Sequence, residues 1–204
     1  DVDGQSKIYL NNGRGEFQEN ISLPLEKNAQ VSVILAHDFD QDGLEDLMVG
    51  GRNVAGKYGQ IPRSYLLKNL GANRYQDITY QIAPELANLG LVKDAAWTDI
   101  DVDGNLDLFV IGEWMPLTIF LNKNGKLVNE TASFGLENTN GWWSSIAIED
   151  FNQDGFPDLV VGNLGLNNRL KPTNKFPIKM VVADFDKNGS SEQIISYPVD
   201  GNYF

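Results

Sequence analysis

The chain has 204 residues, of which 42% are hydrophobic and 22% charged, a balance typical of a globular domain large enough to bury a core. It contains no cysteine, which excludes disulfides, thiol catalysis and thiolate metal sites. The formal net charge of −12 argues against nucleic acid or an anionic membrane surface as a partner, and we find no transmembrane run in the sequence.

The first 80 residues predict a partial unit and one full unit. Residues 1–4 imitate an acidic loop, but the next residues lack ligands, so we interpret this stretch as a turn. Residues 8–18 contain Asn-Gly between apolar runs, which favours a β-hairpin. Strands at 31–35, 47–49, 64–67 and 74–79 then enclose an acidic loop and a surface excursion at 51–63. The predicted boundaries are 1–25 for the partial unit and 30–80 for the full unit.

The same order recurs along the rest of the chain. After a short helical turn within residues 81–90, we predict units at 90–133 and 141–172 and a partial unit at 174–204. The interval between the third and fourth acidic loops is too short for a full set of strands, so residues 164–175 are expected to form an irregular connection. Repetition at this scale indicates a repeat architecture.

Each unit carries a loop in which acidic or amide side chains occupy alternate positions, glycine occupies position six, and an apolar strand follows. A hard divalent cation is held by side-chain oxygens at positions one, three, five and nine and by the backbone carbonyl at position seven. The predicted metal ligands are Asp38, Asp40, Asp42, Leu44 and Asp46; Asp99, Asp101, Asp103, Asn105 and Asp107; Asp150, Asn152, Asp154, Phe156 and Asp158; and Asp184, Asp186, Asn188, Ser190 and Glu192.

Charge repulsion favours a bound ion in these loops. Two carboxylates about 4 Å apart in a partly desolvated site repel by roughly 4 kcal/mol. The loops contain half of the 28 acidic residues, so much of the net charge belongs to them. We predict up to four calcium ions, because magnesium prefers a smaller octahedral site that retains water. We expect the fourth loop to bind most weakly, because Asn188 is neutral and Glu192 is longer than aspartate.

Two other kinds of loop have a similar spacing of acidic residues. An EF-hand needs a glutamate at position twelve and flanking helices, whereas position twelve is Val49, Val110, Val161 or Ile195 within a predicted strand. This excludes the EF-hand. Simple Asx turns remain an alternative, although such a turn needs only one or two acidic residues.

The loops and the strands that follow them resemble FG-GAP/VCBS repeats, which form integrin-α-type β-propellers and occur in many exported bacterial proteins. Segments 94–99, 112–116 and 162–167 are most similar to bacterial members that can carry an ASPIC/UnbV module. The resemblance implies an all-β fold made of β-propeller blades, four-stranded antiparallel sheets with calcium loops between strands. We expect residues 1–204 to form a single segment of about three to four blades, completed by the rest of a longer propeller or by another chain.

This resemblance implies an exported protein, located outside the cell, at the cell surface or in the periplasm, with a bacterial source suspected. Calcium sites of extracellular modules fill at the calcium concentrations found there. The start of the chain at Asp1 leads us to expect that an export signal was removed with upstream sequence.

Other candidate residues favour structural roles. His37 is the only histidine, so few of the residues that a catalytic triad requires are present. Trp97, Trp114 and the pair Trp142 and Trp143 are expected to fill the space between blades, except that one of the adjacent pair must face away from the core. Sugar or peptide binding is the alternative. In the excursion, Arg52, Lys57, Tyr58 and Arg63 are the candidate ligand surface, weighed against a solvated loop.

Two functions follow. The first is a non-enzymatic, adhesive or scaffolding module in which calcium is structural and an unknown protein or glycan is bound. The alternative is part of a polysaccharide lyase or hydrolase, which would require an arginine, a tyrosine and a carboxylate that is not committed to calcium. No catalytic residues and no organic cofactor site are predicted.

Overall fold

The computed structural model describes residues 5–165, 170–173, 175–199 and 202–204. The part of the chain that the structure describes is nearly all β, and its sheets are antiparallel. The predicted all-β class is confirmed, and the sheets are consistent with propeller blades. The turn interpretation of residues 1–4 lies outside the described residues.

The strands are short, as expected for apolar runs bounded by glycine and polar loops. Their bounds are β1 (Lys7–Asn11), β2 (Phe17–Ser22), β3 (Gln30–His37), β4 (Asp46–Asn53), β5 (Tyr65–Asn69), β6 (Tyr75–Asp77), β7 (Leu91–Thr98), β8 (Asp107–Met115), β9 (Thr118–Asn122), β10 (Leu127–Asn129), β11 (Gly141–Glu149), β12 (Asp158–Asn163), β13 (Lys179–Ala183), β14 (Glu192–Ser196), β15 (Pro198–Val199) and β16 (Asn202–Tyr203).

Two four-stranded arrangements form the centre of the described structure. In the first sheet the strand order is β3-β4-β5-β6, and β7, β8, β9 and β10 pair in the same succession in the second. In each, the first two strands are joined by an acidic loop, so that His37 pairs with Asp46 and Thr98 pairs with Asp107. The repeated order places both acidic loops at the same end of their sheets.

The remaining strands form smaller units. β1 pairs with β2, β11 with β12, β13 with β14, and β15 with β16. The beginning of β11 also pairs with the end of β8 through Gly141 and Met115, which joins the second sheet to the third acidic unit. Between the first two sheets lie a helical turn, α1 (Thr79–Ile82), and a 3₁₀ turn at Pro84–Asn88, where a short helical turn was predicted.

Burial follows the two-residue period of the strands. Met48 and Val110 lie in a cluster between the first and second sheets, whereas the neighbouring residue Val49 packs on the opposite face of the first sheet, in a cluster that Ile8 of β1 contacts. Phe109 lies on the opposite face of the second sheet, where Leu159 of β12 contacts its cluster. The first two sheets are therefore covered on both faces, which explains why their central strands are continuously apolar.

No helix among the described residues is long and apolar enough to cross a membrane.

Candidate metal sites in the four acidic loops

All four acidic loops adopt the same backbone conformation. Position six is the glycine in each loop, with φ between 87° and 90° at Gly43, Gly104, Gly155 and Gly189. Glycine reaches this left-handed region at little steric cost. Position four also has a positive φ, although it is not glycine: the residues are Gln41 at 60°, Val102 at 58°, Gln153 at 62° and Lys187 at 60°.

The carboxylate at position one organises the first half of every loop. Asp99 Oδ1 accepts a hydrogen bond from the backbone N–H of Asp103 at 3.0 Å, and its Oδ2 accepts one from Gly104 at 2.9 Å. The same pair of hydrogen bonds, at 2.8 to 3.1 Å, reaches Asp38, Asp150 and Asp184 from positions five and six of their loops.

Position five orients the residue whose carbonyl is the predicted ligand at position seven. Its side-chain oxygen accepts the backbone N–H of position seven in every loop, at 2.7 to 3.0 Å, in the pairs Asp42–Leu44, Asp103–Asn105, Asp154–Phe156 and Asn188–Ser190. These are Asx-type hydrogen bonds, and they are compatible both with a metal loop and with a plain turn.

The residue at position nine begins the following strand and connects the loop to the sheet. Asp46 Oδ1 accepts the N–H of Asn69 at 2.7 Å, and Asp107 Oδ1 accepts the N–H of Asn122 at 2.8 Å. Both carboxylates are 1% exposed. Burial raises the pKa of Asp46 to about 6 and also raises the pKa of Asp107, because desolvation disfavours the charged form.

Three loops bring carboxylate oxygens together closely enough to hold one ion. The ligand atoms within each group lie within 4.8 Å of one another, in the sets Asp38, Asp40 and Asp42; Asp99, Asp101 and Asp107; and Asp184, Asp186 and Glu192. Asp46 and Asp103 lie outside the groups of their loops. Asp150, Asp154 and Asp158, which the structure also describes, do not form such a group.

The amide side chains of the loops already pair with neighbouring carboxylates. The Nδ2 of Asn152 donates to Asp154 at 3.0 Å, and the Nδ2 of Asn188 donates to Asp186 at 2.9 Å. The predicted neutral ligands thus lie beside the carboxylates, and each of them accepts a hydrogen bond through its Oδ1 from the backbone of its own loop.

Lys68 forms ion pairs with the first acidic loop, a contact that the sequence did not predict. Its ammonium group lies between the carboxylates of Asp40 and Asp42, with 2.8 Å to Asp42 Oδ2. Hydrogen bonding to both carboxylates raises the pKa of Lys68, and the pKa of Asp42 is lowered chiefly by the same contact. The corresponding position before Asn122 is Leu121, so the second loop lacks this cation.

The donor sets fit a hard cation. The predicted ligands are carboxylate, amide and carbonyl oxygens, the ligand type that calcium prefers. In the first loop a lysine ammonium group already occupies part of the acidic cluster, which shows that the cluster attracts positive charge. In addition, Asp46 Oδ2 is buried without a hydrogen-bond partner among the described residues, and such an oxygen is costly unless a donor or cation reaches it.

The excursion at 51–63 does not form one basic surface. Arg63 Nη2 contacts Asp77 at 2.5 Å, and the guanidinium lies 4.8 Å from the ring centre of Tyr65 and 4.9 Å from that of Tyr80. Tyr58 instead extends toward the second sheet, where its hydroxyl donates to Glu113 at 2.6 Å. Arg63 therefore contacts residues of the first sheet, whereas Tyr58 contacts the second sheet, so these two residues of the excursion face different parts of the chain.

The histidine and the tryptophans divide into two groups. His37 and Trp97 lie with ring centres 5.5 Å apart, and Trp97 packs against the core between the first two sheets. Trp143 donates to the carbonyl of Thr139 at 3.0 Å. Trp114 and Trp142 form an edge-to-face pair at 5.2 Å and line a cleft. Trp142 is thus the member of the adjacent pair that lies at the cleft, whereas Trp114 differs from the core role expected of it.

Residues 99–161 match the family described as an FG-GAP-like repeat. This match confirms the resemblance. The matched FG-GAP-like segment runs from position one of the second loop to the strand after the third loop. The chain is also 26% identical over 202 residues to cartilage acidic protein 1 of Mus musculus, in an alignment that covers 83% of this chain and 30% of that protein. The chain thus spans less than a third of this relative.

Proposed function

We propose that the chain is an exported, calcium-binding β-propeller module that binds a protein or glycan and in which calcium is structural. The observation that carries this proposal is the common geometry of the four acidic loops. Each has the same two positive φ values and the same hydrogen bonds to positions one and five, although the loops lie in different units.

Calcium would be held by the oxygen atoms predicted from the sequence. Positions one, three and nine of the second and fourth loops, with the carbonyls of Asn105 and Ser190, are the best supported sets, because their carboxylates already converge. Among the described residues the third loop has no such group, so we propose that it, and not the fourth loop as expected from the sequence, binds most weakly. A bound divalent cation would neutralise the repulsion among these carboxylates and so stabilise the sheet that each loop joins.

The proposed module is one segment of a longer propeller. Val160 of β12, Val181 of β13 and Ile194 of β14 are 53%, 55% and 52% exposed, which is unusual for apolar residues of propeller strands. Neighbouring blades, from the rest of the same protein or from another chain, would cover these faces. We propose units at 30–80, 90–133 and 141–172, with partial units at 1–25 and 174–204.

The proposed location follows from the family. FG-GAP repeats are typically found in extracellular or cell-surface proteins, where calcium is abundant enough to fill sites of modest affinity. A periplasmic location and a bacterial source are further parts of the proposal.

The test is thermal unfolding in calcium, in magnesium and in chelator, together with a calorimetric titration that counts the sites. Saturation at a hundredfold excess over the dissociation constant stabilises the fold by about 2.7 kcal/mol per independent site. We expect a calcium-specific rise in melting temperature and two to four bound ions. An unchanged melting temperature and no heat of binding would show that the loops are plain Asx turns.

A second candidate, the polysaccharide-degrading enzyme, has one observation in its favour. Arg63, Tyr65 and Asp77 combine the residue types that it requires, and Arg63 and Tyr65 line a cavity of about 250 Å³. These groups also serve the fold, because Asp77 accepts hydrogen bonds from Thr79 and the Tyr65 hydroxyl accepts one from the backbone of Glu26. Release of reducing ends from polysaccharides, lost in Arg63→Lys, would support the enzyme.

A further inference from the structure

We propose that the cleft lined by Trp114 and Trp142 binds a neutral sugar unit of a glycan. The cleft has a volume of about 870 Å³, and its wall includes Asn138, Asn140, Asn163 and Thr173. This volume is in the range of small-molecule sites, which combine apolar surface with a few convergent polar groups. The inference rests on the proposed binding function and assigns it a site.

The backbone of Trp114 is strained. Its φ is 64°, in the left-handed region that bulky side chains rarely adopt. Such a conformation costs about 1–3 kcal/mol and persists only where the surroundings impose it, often at ligand sites. The strain occurs at the end of β8, where the beginning of β11 joins that strand and the cleft opens.

The indole of Trp114 is fixed by contacts with two other parts of the chain. Its Nε1 donates to the hydroxyl of Tyr58 at 3.0 Å, and that hydroxyl donates to Glu113 at 2.6 Å. Lys93 in turn lies 2.8 Å from Glu113. This network orients one wall of the cleft before a ligand arrives, and such preorganisation lowers the entropic cost of binding.

Trp142 is the second aromatic residue of the cleft wall. Like Trp114 it is partly exposed, and both side chains line the cleft. The apolar face of a sugar ring that enters the cleft can pack on an indole, while its hydroxyls meet the amide and hydroxyl side chains of the wall.

The remaining wall favours a neutral, hydroxyl-rich ligand. The described residues that line the cleft are aromatic, amide, hydroxyl, glycine, proline and isoleucine residues, without a charged side chain. Amide groups donate to and accept from hydroxyls at the same time. The two indole rings are nearly perpendicular, at 85°, whereas grooves for proline-rich peptides present aromatic ridges to an extended helix.

The experiment measures binding of the calcium-loaded protein to an array of neutral oligosaccharides (cellotriose, mannotriose and chitotriose), with sialylated and sulfated glycans and a proline-rich peptide as competitors. We expect retention of at least one neutral glycan. Trp142→Ala should weaken its binding about tenfold through lost stacking, and Trp142→Phe, which keeps a smaller aromatic ring, only about two- to threefold. Tyr58→Phe should weaken binding less. Trp97→Phe, at a tryptophan that does not line the cleft, is the control and should bind as the unchanged protein does.

Near-ultraviolet circular dichroism and calcium titration of each variant show whether it is folded. Retention of no neutral glycan by a protein that binds calcium would overturn this inference and leave the calcium module standing. Binding only to anionic glycans or only to the peptide would also overturn it, as would equal binding by the folded Trp142→Phe and Trp142→Ala variants. If the unchanged protein binds no calcium, the proposed function itself is rejected.

Discussion

The strands that leave the second and fourth acidic loops have similar sequences but different surroundings. Position eleven of the loop is Phe109 in β8 and Ile194 in β14, and these side chains are 0% and 52% exposed. Position two differs in the same way, because Phe39 of the first loop is 3% exposed and Phe185 of the fourth is 50% exposed. The repeat determines the loop and strand, whereas the neighbouring sheet determines whether its apolar residues are buried.

The largest expected effect concerns this difference in burial. Phe109→Ala should lower the free energy of unfolding by about 3–5 kcal/mol, because the cavity left in a closed core relaxes only partly. Ile194→Ala, at the same loop position, should change it by less than about 0.5 kcal/mol. Urea unfolding of both variants measures the difference. A large loss in Ile194→Ala would show that another element covers β14 in solution.

A second prediction concerns pH in the absence of metal. The folded pKa of Asp46 is about 6 and its unfolded pKa is near 3.9, so the folded state binds more protons between these values. Stability therefore falls as pH rises from about 4 to about 6 and stays low above that, by up to about 3 kcal/mol. Asp46→Asn should remove most of this dependence in chelator, as followed by urea unfolding.

The control for that experiment is Asp158→Asn, at the partly exposed position nine of the third loop. It should leave the pH dependence nearly unchanged. If Asp46→Asn and Asp158→Asn change the pH dependence equally, the burial of Asp46 is not the cause of that dependence. Calcium should oppose the loss above pH 6, because it requires the deprotonated carboxylate.

A third prediction concerns the cation in the first loop. Lys68→Leu removes an ammonium group that competes with calcium for Asp40 and Asp42, and it should raise the calcium affinity of that loop about two- to fivefold, as expected for partly exposed charges. Leu121, the corresponding residue of the second sheet, is buried in the core, so the matched control is Lys68→Arg, which keeps the cation and should leave the affinity of the first loop nearly unchanged. Calorimetric titrations would contradict this account if Lys68→Leu left that affinity unchanged.

The smallest predicted effect concerns position four of the loops. Val102 is β-branched, has a φ of 58° and is 58% exposed, so its backbone is strained while its side chain packs little. Val102→Gly should raise the free energy of unfolding by about 0.5–1 kcal/mol, after allowing for the greater freedom of glycine in the unfolded chain. Thermal unfolding would show this as a slightly higher melting temperature. Val102→Ala keeps the Cβ and should give no such gain.

The sequence was sufficient for features that depend on neighbours along the chain. The acidic spacing and the glycine predicted the loops, and the apolar runs predicted the strands around them, because both patterns reflect local backbone geometry. The positive φ at position four was not predicted, because glutamine and valine, the residues at Gln41 and Val102, rarely adopt a left-handed conformation.

Features that depend on distant residues were not predicted. The lysine in the first loop comes from β5, beyond the excursion. The cleft combines residues of β8 and β11, and Tyr58 of the excursion holds the indole of Trp114. Apolar strands are covered on both faces at β4 and β8 but not at β12, where Val160 is exposed. No periodicity within a strand reveals how many sheets lie beside it.

The most direct test of the account is a crystal structure of the chain grown in calcium, with anomalous scattering used to identify ions. The account predicts ions in the second and fourth loops at least, each surrounded by six to eight oxygens at about 2.3–2.6 Å, with Lys68 displaced if the first loop also fills. Loops that keep their Asx-type hydrogen bonds and hold no ion at saturating calcium would contradict it.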